Sequence, residues 1–276
     1  MSKTWFITGA SSGIGRALTE KLLARGDRVA ATLRRMDALN DLKARHGDAL
    51  RLAFLDLSEA SSVRAVVDGA FAEWGRIDVV ASNAGYGLFG AAEEVSDDQV
   101  RRQIETNLIG SIQVIRAALP HLRAQGGGRL LQVSSEGGQV AYPNFSLYHA
   151  TKWGIEGFIE SVAQEVAPFG IGFTIVEPGA TRTDFGRGLV IPPAMEAYRD
   201  TPAGEIRRAV TSGAFALPGD PVKMAQVMID SVERSPAPLR LTLGRDSYAR
   251  VRAALVERIA ALDAQKDIAF STDVDD

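Results

Sequence analysis

Tyr148 and Lys152 stand four residues apart in a segment whose apolar periodicity predicts a helix over about residues 146–167. This spacing places the phenol and the ammonium on one face of the helix. A free tyrosine has a pKa near ~10, and a neighbouring ammonium favours the phenolate and lowers that pKa. Such a tyrosine can give a proton to a carbonyl oxygen or take one from an alcohol. Because this spacing is common on helices, an exposed pair without chemistry is the alternative interpretation.

Other polar side chains stand at the ends of neighbouring predicted elements. Ser134 and Ser135 close a predicted strand over 129–134, and Asn107 lies in the predicted helix that precedes this strand. An earlier strand is closed by Ser82-Asn83-Ala84-Gly85. In doubly wound sheets ligands bind at the carboxyl ends of the strands. The serines therefore stand on the side of the sheet where a ligand is expected.

A glycine-rich turn, Gly9-Ala10-Ser11-Ser12-Gly13-Ile14-Gly15, joins the first predicted strand to the first predicted helix. A helix N-terminus presents free N–H groups, and glycines let a pyrophosphate approach the backbone closely. The turn therefore predicts a phosphate loop, although a tight turn without a ligand has the same composition. It also matches the G-x-S-x-G nucleophile elbow of hydrolases, with Asp56 or Asp78 and His149 as partners. An elbow normally follows several strands, so we disfavour that alternative.

Short apolar runs alternate with amphipathic segments along the whole chain, which predicts an α/β fold with a doubly wound parallel sheet of about seven strands and helices on both faces. We expect one domain over residues 1–276. Ser96 and Gln99 form the pattern of a capping box and start a predicted helix over 96–123. Residues 184–218 are poorly periodic, a helical extension is expected over about 246–276, and residues 271–276 are expected to be a loose acidic tail. The remaining predicted strands cover 4–8, 28–33, 50–55, 77–82, 172–177 and 239–243, and the remaining helices 13–25, 36–45, 58–74, 221–233 and 247–262.

The composition excludes several classes of function. The chain has no cysteine, so disulfides, thiolate catalysis and cysteine-bound metals are impossible. Its three histidines lie far apart in sequence, and no metal site is expected. A net charge of −3 argues against nucleic acid as the main partner. No apolar run reaches the ~18 residues of a membrane span and no signal peptide is evident, so we expect a soluble cytoplasmic protein without a membrane partner.

Taken together, these motifs resemble the short-chain dehydrogenase/reductase family, over about residues 4–245. The chain carries T-G-x-x-x-G-I-G at Thr8 to Gly15, a variant of N-N-A-G that begins with Ser82, and the helical Asn107. Ser135, Tyr148-x-x-x-Lys152 and Pro178-Gly179 with Thr183 follow in the family's order. The resemblance implies a Rossmann-type fold and an oxidoreductase that interconverts a ketone or aldehyde and an alcohol by hydride transfer with a nicotinamide cofactor.

The resemblance also implies a role for each motif residue. Tyr148 would be the general acid/base, and Lys152 would lower its pKa and bind the nicotinamide ribose. Ser135 would hydrogen-bond the substrate oxygen, and Asn107 would position a water molecule in a proton relay. Ser134 is expected to support the strand end. The cofactor would contact Gly9, Ser11, Ser12, Gly13, Ile14, Gly15, Arg34, Asp56, Leu57, Asn83, Ala84, Gly85, Tyr148, Lys152, Pro178, Gly179, Thr181 and Thr183.

The end of the second predicted strand indicates which cofactor is preferred. NAD-binding folds usually place an acid here for the ribose 2′-hydroxyl, whereas NADP-binding folds offer an arginine to the 2′-phosphate. This chain has Arg34 and Arg35 here, and an arginine–phosphate contact is charge-assisted. We therefore predict NADP(H), with NAD(H) as a possible second cofactor. Two solvated arginines without a ligand are the alternative interpretation.

The segments expected over the nicotinamide are largely apolar, which predicts a neutral, hydrophobic carbonyl or alcohol substrate. Residues 184–218 resemble the family's substrate lid, and an ordinary surface loop is the alternative. Relatives commonly dimerise, so we expect a homodimer, or a tetramer. A redox sensor or regulator of the same fold without turnover is the alternative function. His149 is expected to be structural or interfacial. The substrate-facing candidates are Tyr86, Leu88, Phe89, Val140, Tyr142, Phe145, Phe185, Leu189, Ile191 and Met195.

Overall fold

Seven parallel strands form one sheet in the computed structural model, which describes residues 2–213 and 215–274. The strand order is β3-β2-β1-β4-β5-β6-β7. All neighbouring pairs are parallel, so every strand carries its carboxyl end to the same edge of the sheet. The strands are β1 (Thr4–Thr8), β2 (Arg28–Leu33), β3 (Leu50–Phe54), β4 (Val79–Ser82), β5 (Gly128–Val133), β6 (Ile171–Pro178) and β7 (Arg240–Leu243).

Helices cover both faces of this sheet and bury its apolar side chains in two clusters. One cluster joins Leu18 and Leu22 of the first helix to Met228 of a later one, and the other joins Val67, Val114 and Ile155 from three helices on the opposite face. The helices are α1 (Gly13–Ala24), α2 (Asn40–His46), α3 (Ala60–Trp74), α4 (Asp97–Ile104), α5 (Gly110–Ala124), α6 (Ser146–Val166), α7 (Pro202–Thr211), α8 (Pro221–Val232), α9 (Arg245–Asp263) and α10 (Lys266–Phe270). The predicted α/β class and doubly wound sheet are confirmed.

The strand order reverses between β1 and β4. The chain proceeds outwards from β1 to β2 and β3, then returns to the other side of β1 and continues through β4 to β7. A crevice opens at the carboxyl ends of strands where the order reverses, and ligands bind in that crevice in folds of this kind. The glycine-rich turn after β1 and the Asn83 segment after β4 flank this crevice.

Three predicted segments differ from the structure. The predicted helix over 96–123 is interrupted by a π-helical turn at Glu105–Ile109, which separates α4 from α5. The segment 184–218 contains α7, whose small and charged residues hide its periodicity, and Ala214 lies outside the described residues. The expected loose tail is preceded by the short helix α10, and its last two residues, 275–276, lie outside the described part of the chain.

Across residues 2–213 and 215–274, every helix is too short or too polar to cross a lipid bilayer. The longest helix, α6, has 21 residues, but it carries charged and polar side chains throughout.

The predicted capping box at the start of α4 is present. The Ser96 hydroxyl accepts a hydrogen bond from the Gln99 backbone N–H at 3.3 Å, and the Ser96 N–H donates to Gln99 Oε1 at 3.0 Å. The two bonds satisfy the backbone N–H groups of Gln99 and Ser96, which have no partner within the first turn of the helix. This cap fixes the start of the helix that leads into the π-helical turn.

Replacing Ser96→Ala is expected to lower the free energy of unfolding by about 1 kcal/mol, because the cap is lost. Urea unfolding followed by circular dichroism measures this change. Ser61→Ala, at an exposed position in the first turn of α3, is the matched control and should change stability by less than about 0.5 kcal/mol. Equal losses in the two variants would contradict the assignment of the cap.

Candidate active site

The glycine-rich turn places the N-terminus of α1 at the mouth of the crevice. Gly9 has a φ of +68°, and a Cβ there would lie 2.7 Å from Ala84 Cα. A Cβ on Gly15 would lie 2.4 Å from the Gly9 carbonyl oxygen. Only glycine fits at either position, so the turn packs tightly while its backbone stays accessible. The arrangement has the shape that a bound pyrophosphate requires at a helix N-terminus.

Asn83 and Ala84 hold this turn against the end of β4. The Asn83 amide Nδ2 donates to the carbonyl oxygens of Thr8 and Gly9, at 3.0 and 3.1 Å. The Thr8 hydroxyl accepts hydrogen bonds from the N–H groups of Asn83 and Ala84, at 2.9 and 3.0 Å. The side chain of Asn83 is therefore occupied by the loop itself. It shapes the crevice wall, and its neighbour Gly85 lies against the Asn107 carboxamide.

The end of β5 carries the two candidate serines, and the structure separates their roles. Ser135 Oγ accepts a hydrogen bond from Gly137 N–H at 3.1 Å, so its own O–H can donate toward Tyr148 or toward a molecule in the crevice. The Ser134 hydroxyl instead donates to Glu156 Oε1 at 2.5 Å inside the protein. Only Ser135 is therefore available to a molecule in the crevice. The expectation that Ser134 supports the strand end agrees with this contact.

Tyr148, which belongs to α6, lies beside Ser135, and its phenol is buried. Burial raises the pKa of Tyr148 to about 12, although the hydrogen bond with the Ser135 hydroxyl lowers it in part. This direction differs from the expectation that Lys152 lowers the phenol's pKa. The physical reason is desolvation, which favours the neutral phenol, and the Glu136 and Glu156 carboxylates raise the pKa further. The phenol is therefore protonated at neutral pH.

Lys152 reaches under the tyrosine from the next turn of α6. Its Nζ lies 5.4 Å from the centroid of the Tyr148 ring and donates to the Val133 carbonyl oxygen at 3.0 Å. Only 5% of Lys152 is exposed, and burial lowers its pKa to about 8 while the Glu156 carboxylate opposes the shift. Tyr148 and Lys152 therefore lie on the same face of α6, as their spacing predicted.

Asn107 lies in the π-helical turn, and its side chain holds the loop after β4. Asn107 Nδ2 donates to the Tyr86 carbonyl oxygen at 2.8 Å, and its Oδ1 accepts from the Tyr86 N–H at 3.1 Å. A π-helical turn inserts one residue into a helix and is frequent at functional sites. Asn107 is thus held beside the crevice by two backbone bonds. Its predicted part in a proton relay stays a prediction.

Two arginines face a carboxylate at the far end of the crevice. Arg34 follows β2, and Arg102 lies on α4; both are close enough to lower the pKa of Asp56. Burial opposes ionisation of Asp56, but hydrogen bonds from the Ser58 N–H and hydroxyl, together with the arginines, hold its pKa below the usual value. Leu57, predicted to contact adenine, packs against Gly110 and is buried. The end of the crevice near Arg34 therefore carries the positive charges of two arginines.

The segment after β6 closes the crevice on the other side. The Thr183 side chain lies against Gly13 in the glycine-rich turn, where an added Cβ would approach it to 3.3 Å. Gly179 N–H, next to Pro178, donates to the Leu243 carbonyl oxygen at 2.9 Å. The Thr181 hydroxyl donates to the Gly179 carbonyl oxygen at 2.8 Å, so this side chain is occupied within its own turn. Of these residues, Thr183 is the one that meets the phosphate loop.

The segment predicted as a lid packs over the tyrosine. The Phe185 ring lies 5.7 Å from the Tyr148 ring in an edge-on arrangement, and Phe185 and Leu189 both contact Gly87. Val190 exchanges two backbone hydrogen bonds with the loop after β4, each at 2.9 Å. The wall above the tyrosine is therefore apolar.

A buried carboxylate anchors this segment. Glu94 accepts hydrogen bonds from the N–H groups of Met195 and Ala91, both at 2.8 Å, and from the Arg207 guanidinium on α7. Side-chain exposure is 1% for Glu94 and 16% for Arg207. Burial opposes the charge on Glu94, but these bonds hold its pKa below the usual value. Because removing one partner would leave a buried charge, we expect this pair to fix the segment firmly.

His149 is buried behind Tyr148 and is part of an aromatic cluster. Its ring lies 4.5 Å from the Tyr142 ring and 6.0 Å from the Phe145 ring. Within the described residues, neither ring nitrogen has a hydrogen-bond partner, and burial lowers the pKa of His149 to about 4. The expected structural role agrees with this position. Only 4% of the residue is exposed, so an interfacial role is not supported.

The hydrolase triad is not assembled. Asp78 Oδ2 accepts a hydrogen bond from the Thr4 N–H, which places it at the amino end of β1, opposite the crevice. Asp56 is bound by Ser58, and His149 is enclosed by aromatic rings. Neither acid therefore orients the histidine toward the glycine-rich turn, as a nucleophile elbow requires.

Comparison with known proteins agrees with this geometry. A model of the family described as short chain dehydrogenase matches residues 3–190. Over 249 residues the chain is 38% identical to oxidoreductase BOA17 of Botryotinia fuckeliana, and the match covers 90% of each protein. The chain belongs to the short-chain dehydrogenase/reductase family. It is therefore an oxidoreductase, of the class that acts on CH–OH groups.

Solved structures of short-chain dehydrogenases have the same architecture. One from Streptomyces avermitilis superimposes with a TM-score of 0.91 at 38% identity, over 99% of this chain and 98% of that one. An alcohol dehydrogenase from Thermococcus sibiricus, solved in complex with 5-hydroxy-NADP, has a TM-score of 0.71 at 27% identity, over 88% of this chain and 96% of that one. The family predicted from the motifs is confirmed.

Several residues of the site were missed by sequence reasoning. Arg102 was missed because a single arginine in a polar helix gives no signal until the fold brings it near Asp56. Glu156 stands four residues after Lys152, so helical spacing could have indicated its contact with the ammonium. Glu94 and Arg207 are 113 residues apart, and only the folded chain joins them.

Stability at acid pH should depend on His149. Its folded-state pKa of about 4 lies below its ordinary value of 6.5, so the unfolded chain binds a proton first as pH falls. The parent should therefore lose up to about 3 kcal/mol between pH 6.5 and pH 4 that a His149→Gln variant does not lose. Urea unfolding at four pH values measures the difference. Parallel stability curves for the two proteins would show that burial of the neutral ring has no such cost.

Proposed function

We propose that the protein is an NADP(H)-dependent reductase of neutral, hydrophobic carbonyl compounds that can also run in the direction of alcohol oxidation. The observation that carries this proposal is the grouping of Ser135, Tyr148 and Lys152 at the carboxyl end of β5, next to the phosphate loop. The Ser135 hydroxyl faces the Tyr148 phenol and can donate to a ligand oxygen, and Tyr148 is protonated at neutral pH. Two such donors can hold one carbonyl oxygen.

The reaction follows from these two donors. In reduction, the carbonyl oxygen accepts hydrogen bonds from the Ser135 hydroxyl and the Tyr148 phenol. A reduced nicotinamide bound in the crevice would supply the hydride for the new C–H bond and would itself be oxidised. Tyr148 gives its proton to the oxygen as negative charge develops there, which yields the alcohol. Lys152, held by the Val133 carbonyl, keeps a positive charge below the phenol and limits the negative charge left on it.

The features of the crevice support a dinucleotide cofactor. Gly9 and Gly15 leave no room for a Cβ, and Ser12, as N-cap of α1, makes no side-chain capping bond within the described residues. The first-turn N–H groups can therefore bind a pyrophosphate. Residues from Asn83 to Gly85, Gly179 and Thr183 would line the path toward Tyr148. The alcohol dehydrogenase from Thermococcus sibiricus, a 27% identical relative, holds an NADP derivative in the same fold.

Charge at the adenosine end supports NADP(H) over NAD(H). Arg34 and Arg102 face the same region, and an arginine can bind a 2′-phosphate through two charge-assisted hydrogen bonds. Asp56 is turned toward Ser58 and the arginines partly neutralise it. NAD(H) stays a possible second cofactor, because the adenine and ribose contacts do not require the phosphate.

The substrate class follows from the wall above Tyr148. Phe185 and Phe145 contact the phenol ring, and Leu189 packs beside them on Gly87. An apolar wall favours a hydrophobic substituent on the carbonyl carbon. We propose that residues 184–218 act as a substrate lid that is anchored by Glu94 and Arg207. The Tyr148 phenol, the Ser135 hydroxyl and the Lys152 ammonium lie close together. This grouping supports catalytic turnover rather than a role as a redox sensor.

Assembly and location stay predictions. A homodimer, with a tetramer as the alternative, is expected because relatives commonly associate through long helices such as α5 and α6. A cytoplasmic location stays a prediction. Light scattering coupled to size-exclusion chromatography would measure the assembly.

Replacing Arg34→Ala should weaken NADPH binding about 10-fold or more, because a charge-assisted contact to the 2′-phosphate is lost. NADH binding should change by less than about 2-fold, since NADH has no such phosphate. Fluorescence titration with both cofactors measures the two affinities. Arg35→Ala is the matched control, since Arg35 is the adjacent exposed arginine. Equal losses for both cofactors would contradict the proposed phosphate contact.

Replacing Tyr148→Phe should lower the turnover of a hydrophobic ketone by about 10²- to 10⁴-fold, the usual contribution of a general acid. The NADPH affinity should stay within about 3-fold, because the phenylalanine keeps the ring in place. NADPH oxidation against a panel of neutral and charged carbonyl compounds provides the measurement. A variant as active as the parent would refute the role of the phenol, and turnover confined to small charged compounds would refute the substrate class.

A further inference from the structure

The last long helix, α9, contacts both turns that border the candidate active site. It begins at Arg245, two residues after β7 ends. The Asp246 carboxylate accepts a hydrogen bond from the Ala180 N–H at 2.9 Å. It presses on Gly179 so closely that an added Cβ there would lie 2.7 Å from both carboxylate oxygens. The first turn of α9 therefore fixes the turn after β6.

Arg250 joins this carboxylate to the turn that follows Ser135. Its Nη2 donates to Asp246 Oδ2 at 2.7 Å, and its Nε donates to Glu136 Oε2 at 3.1 Å. Glu136 directly follows Ser135 and is almost completely buried, with 3% exposure. One guanidinium thus bridges the turn after β5 and the turn after β6. Because the guanidinium is planar and rigid, it fixes the distance between the two turns. Its positive charge also balances the Glu136 and Asp246 carboxylates.

The same helix holds the Ser135 turn at a second point. Arg258 donates to the Gln139 carbonyl oxygen at 2.6 Å, and its guanidinium lies 4.9 Å from the Trp153 ring on α6. Gln139 in turn donates to Glu177 Oε1 at 2.7 Å. The turn that carries Ser135 is therefore held by α9 on one side and by β6 on the other.

Glu136 is a buried charge that needs a partner. Burial raises the pKa of Glu136, and the Arg250 guanidinium opposes this rise. The neighbouring Asp246 carboxylate also raises that pKa, while the Tyr142 hydroxyl lowers it. Removing one partner of a buried ion pair leaves an uncompensated charge, which is strongly destabilising.

The Glu136 charge also reaches the tyrosine. It raises the pKa of Tyr148, as does the Glu156 carboxylate on α6. The other titratable groups around the phenol are Lys152, Tyr142 and the neutral His149. A change in the partner of Glu136 therefore alters both the position of Ser135 and the field at the phenol.

We propose that Arg250 is a positioning residue of the active site: through Glu136 and Asp246 it sets the Ser135 hydroxyl against the Gly179–Ala180 turn. The proposal rests on the proposed function, because Ser135 is taken as the hydroxyl that holds the substrate oxygen. It gives α9, which follows the last strand of the sheet, a part in catalysis without any contact to the substrate.

The test compares Arg250→Met with four other variants, of which Arg252→Met is the matched control at an exposed position on the same helix. Arg250→Met should lower kcat by roughly 10- to 100-fold, since small displacements of a catalytic group cost that much. The loss in kcat should exceed any rise in the KM for NADPH, because Arg250 reaches the cofactor path only through the Gly179 turn, whereas Asn83 holds the phosphate loop. Arg250→Lys should restore charge but not the bridge, and give an intermediate kcat.

The double variant Glu136→Gln/Arg250→Met removes both charges. It should fold, and its kcat should exceed that of Arg250→Met, because no buried carboxylate is left without a partner. If Arg250→Met does not fold, the double variant compared with Glu136→Gln alone carries the test. An unchanged kcat in Arg250→Met overturns the proposal, as does a double variant no better than Arg250→Met.

Hydrogen exchange provides a readout that does not depend on turnover. In Arg250→Met the amides of residues 136–140 and 179–180 should exchange faster, while those of β1 and α1 should be unchanged. Uniform or absent acceleration overturns the bridge. If the parent reduces no carbonyl compound, the proposed function fails, and the exchange result still decides whether Arg250 links the two turns.

Discussion

The hydrogen bond from Lys152 Nζ to the Val133 carbonyl oxygen joins helix α6 to the end of strand β5. Ser135 lies two residues beyond that carbonyl, and Tyr148 lies one helical turn before the lysine. One hydrogen bond of 3.0 Å therefore holds the two candidate proton donors, Ser135 and Tyr148, next to each other. Because a buried ammonium without partners would be costly, this bond also keeps the helix in register with the strand. The glycine-rich turn and the segment that carries Phe185 are arranged around this fixed point.

A group of buried carboxylates surrounds this point. Glu156 and Glu177 both bind the Arg240 guanidinium, and Glu156 also accepts from Ser134. Glu136 binds Arg250 on the far side of Ser135. Negative charge behind a phenol favours its protonated form, which suits a residue that must give a proton to a carbonyl oxygen. Arg240 of β7 and Arg250 of α9 pair with these carboxylates and so offset the cost of burying their charge.

Local patterns predicted most of the fold and the centre of the site. Strand–helix alternation predicted the parallel sheet, the Ser96 capping box predicted the start of α4, and the four-residue spacing predicted the common face of Tyr148 and Lys152. The π-helical turn at Asn107 was not predicted, because a π-helical turn leaves no clear trace in hydrophobic periodicity. The raised pKa of Tyr148 was not predicted either, since burial depends on the packing of distant segments such as Phe185.

The most direct test of the account is the fate of a labelled hydride. The protein would be incubated with NADPH carrying deuterium at both C4 positions and a mixture of hydrophobic ketones, and the alcohols analysed by mass spectrometry. The account predicts one deuterium on the carbinol carbon of at least one alcohol, in an amount that grows with protein concentration. A protein that binds NADPH tightly but leaves every ketone unlabelled and unreduced would contradict it.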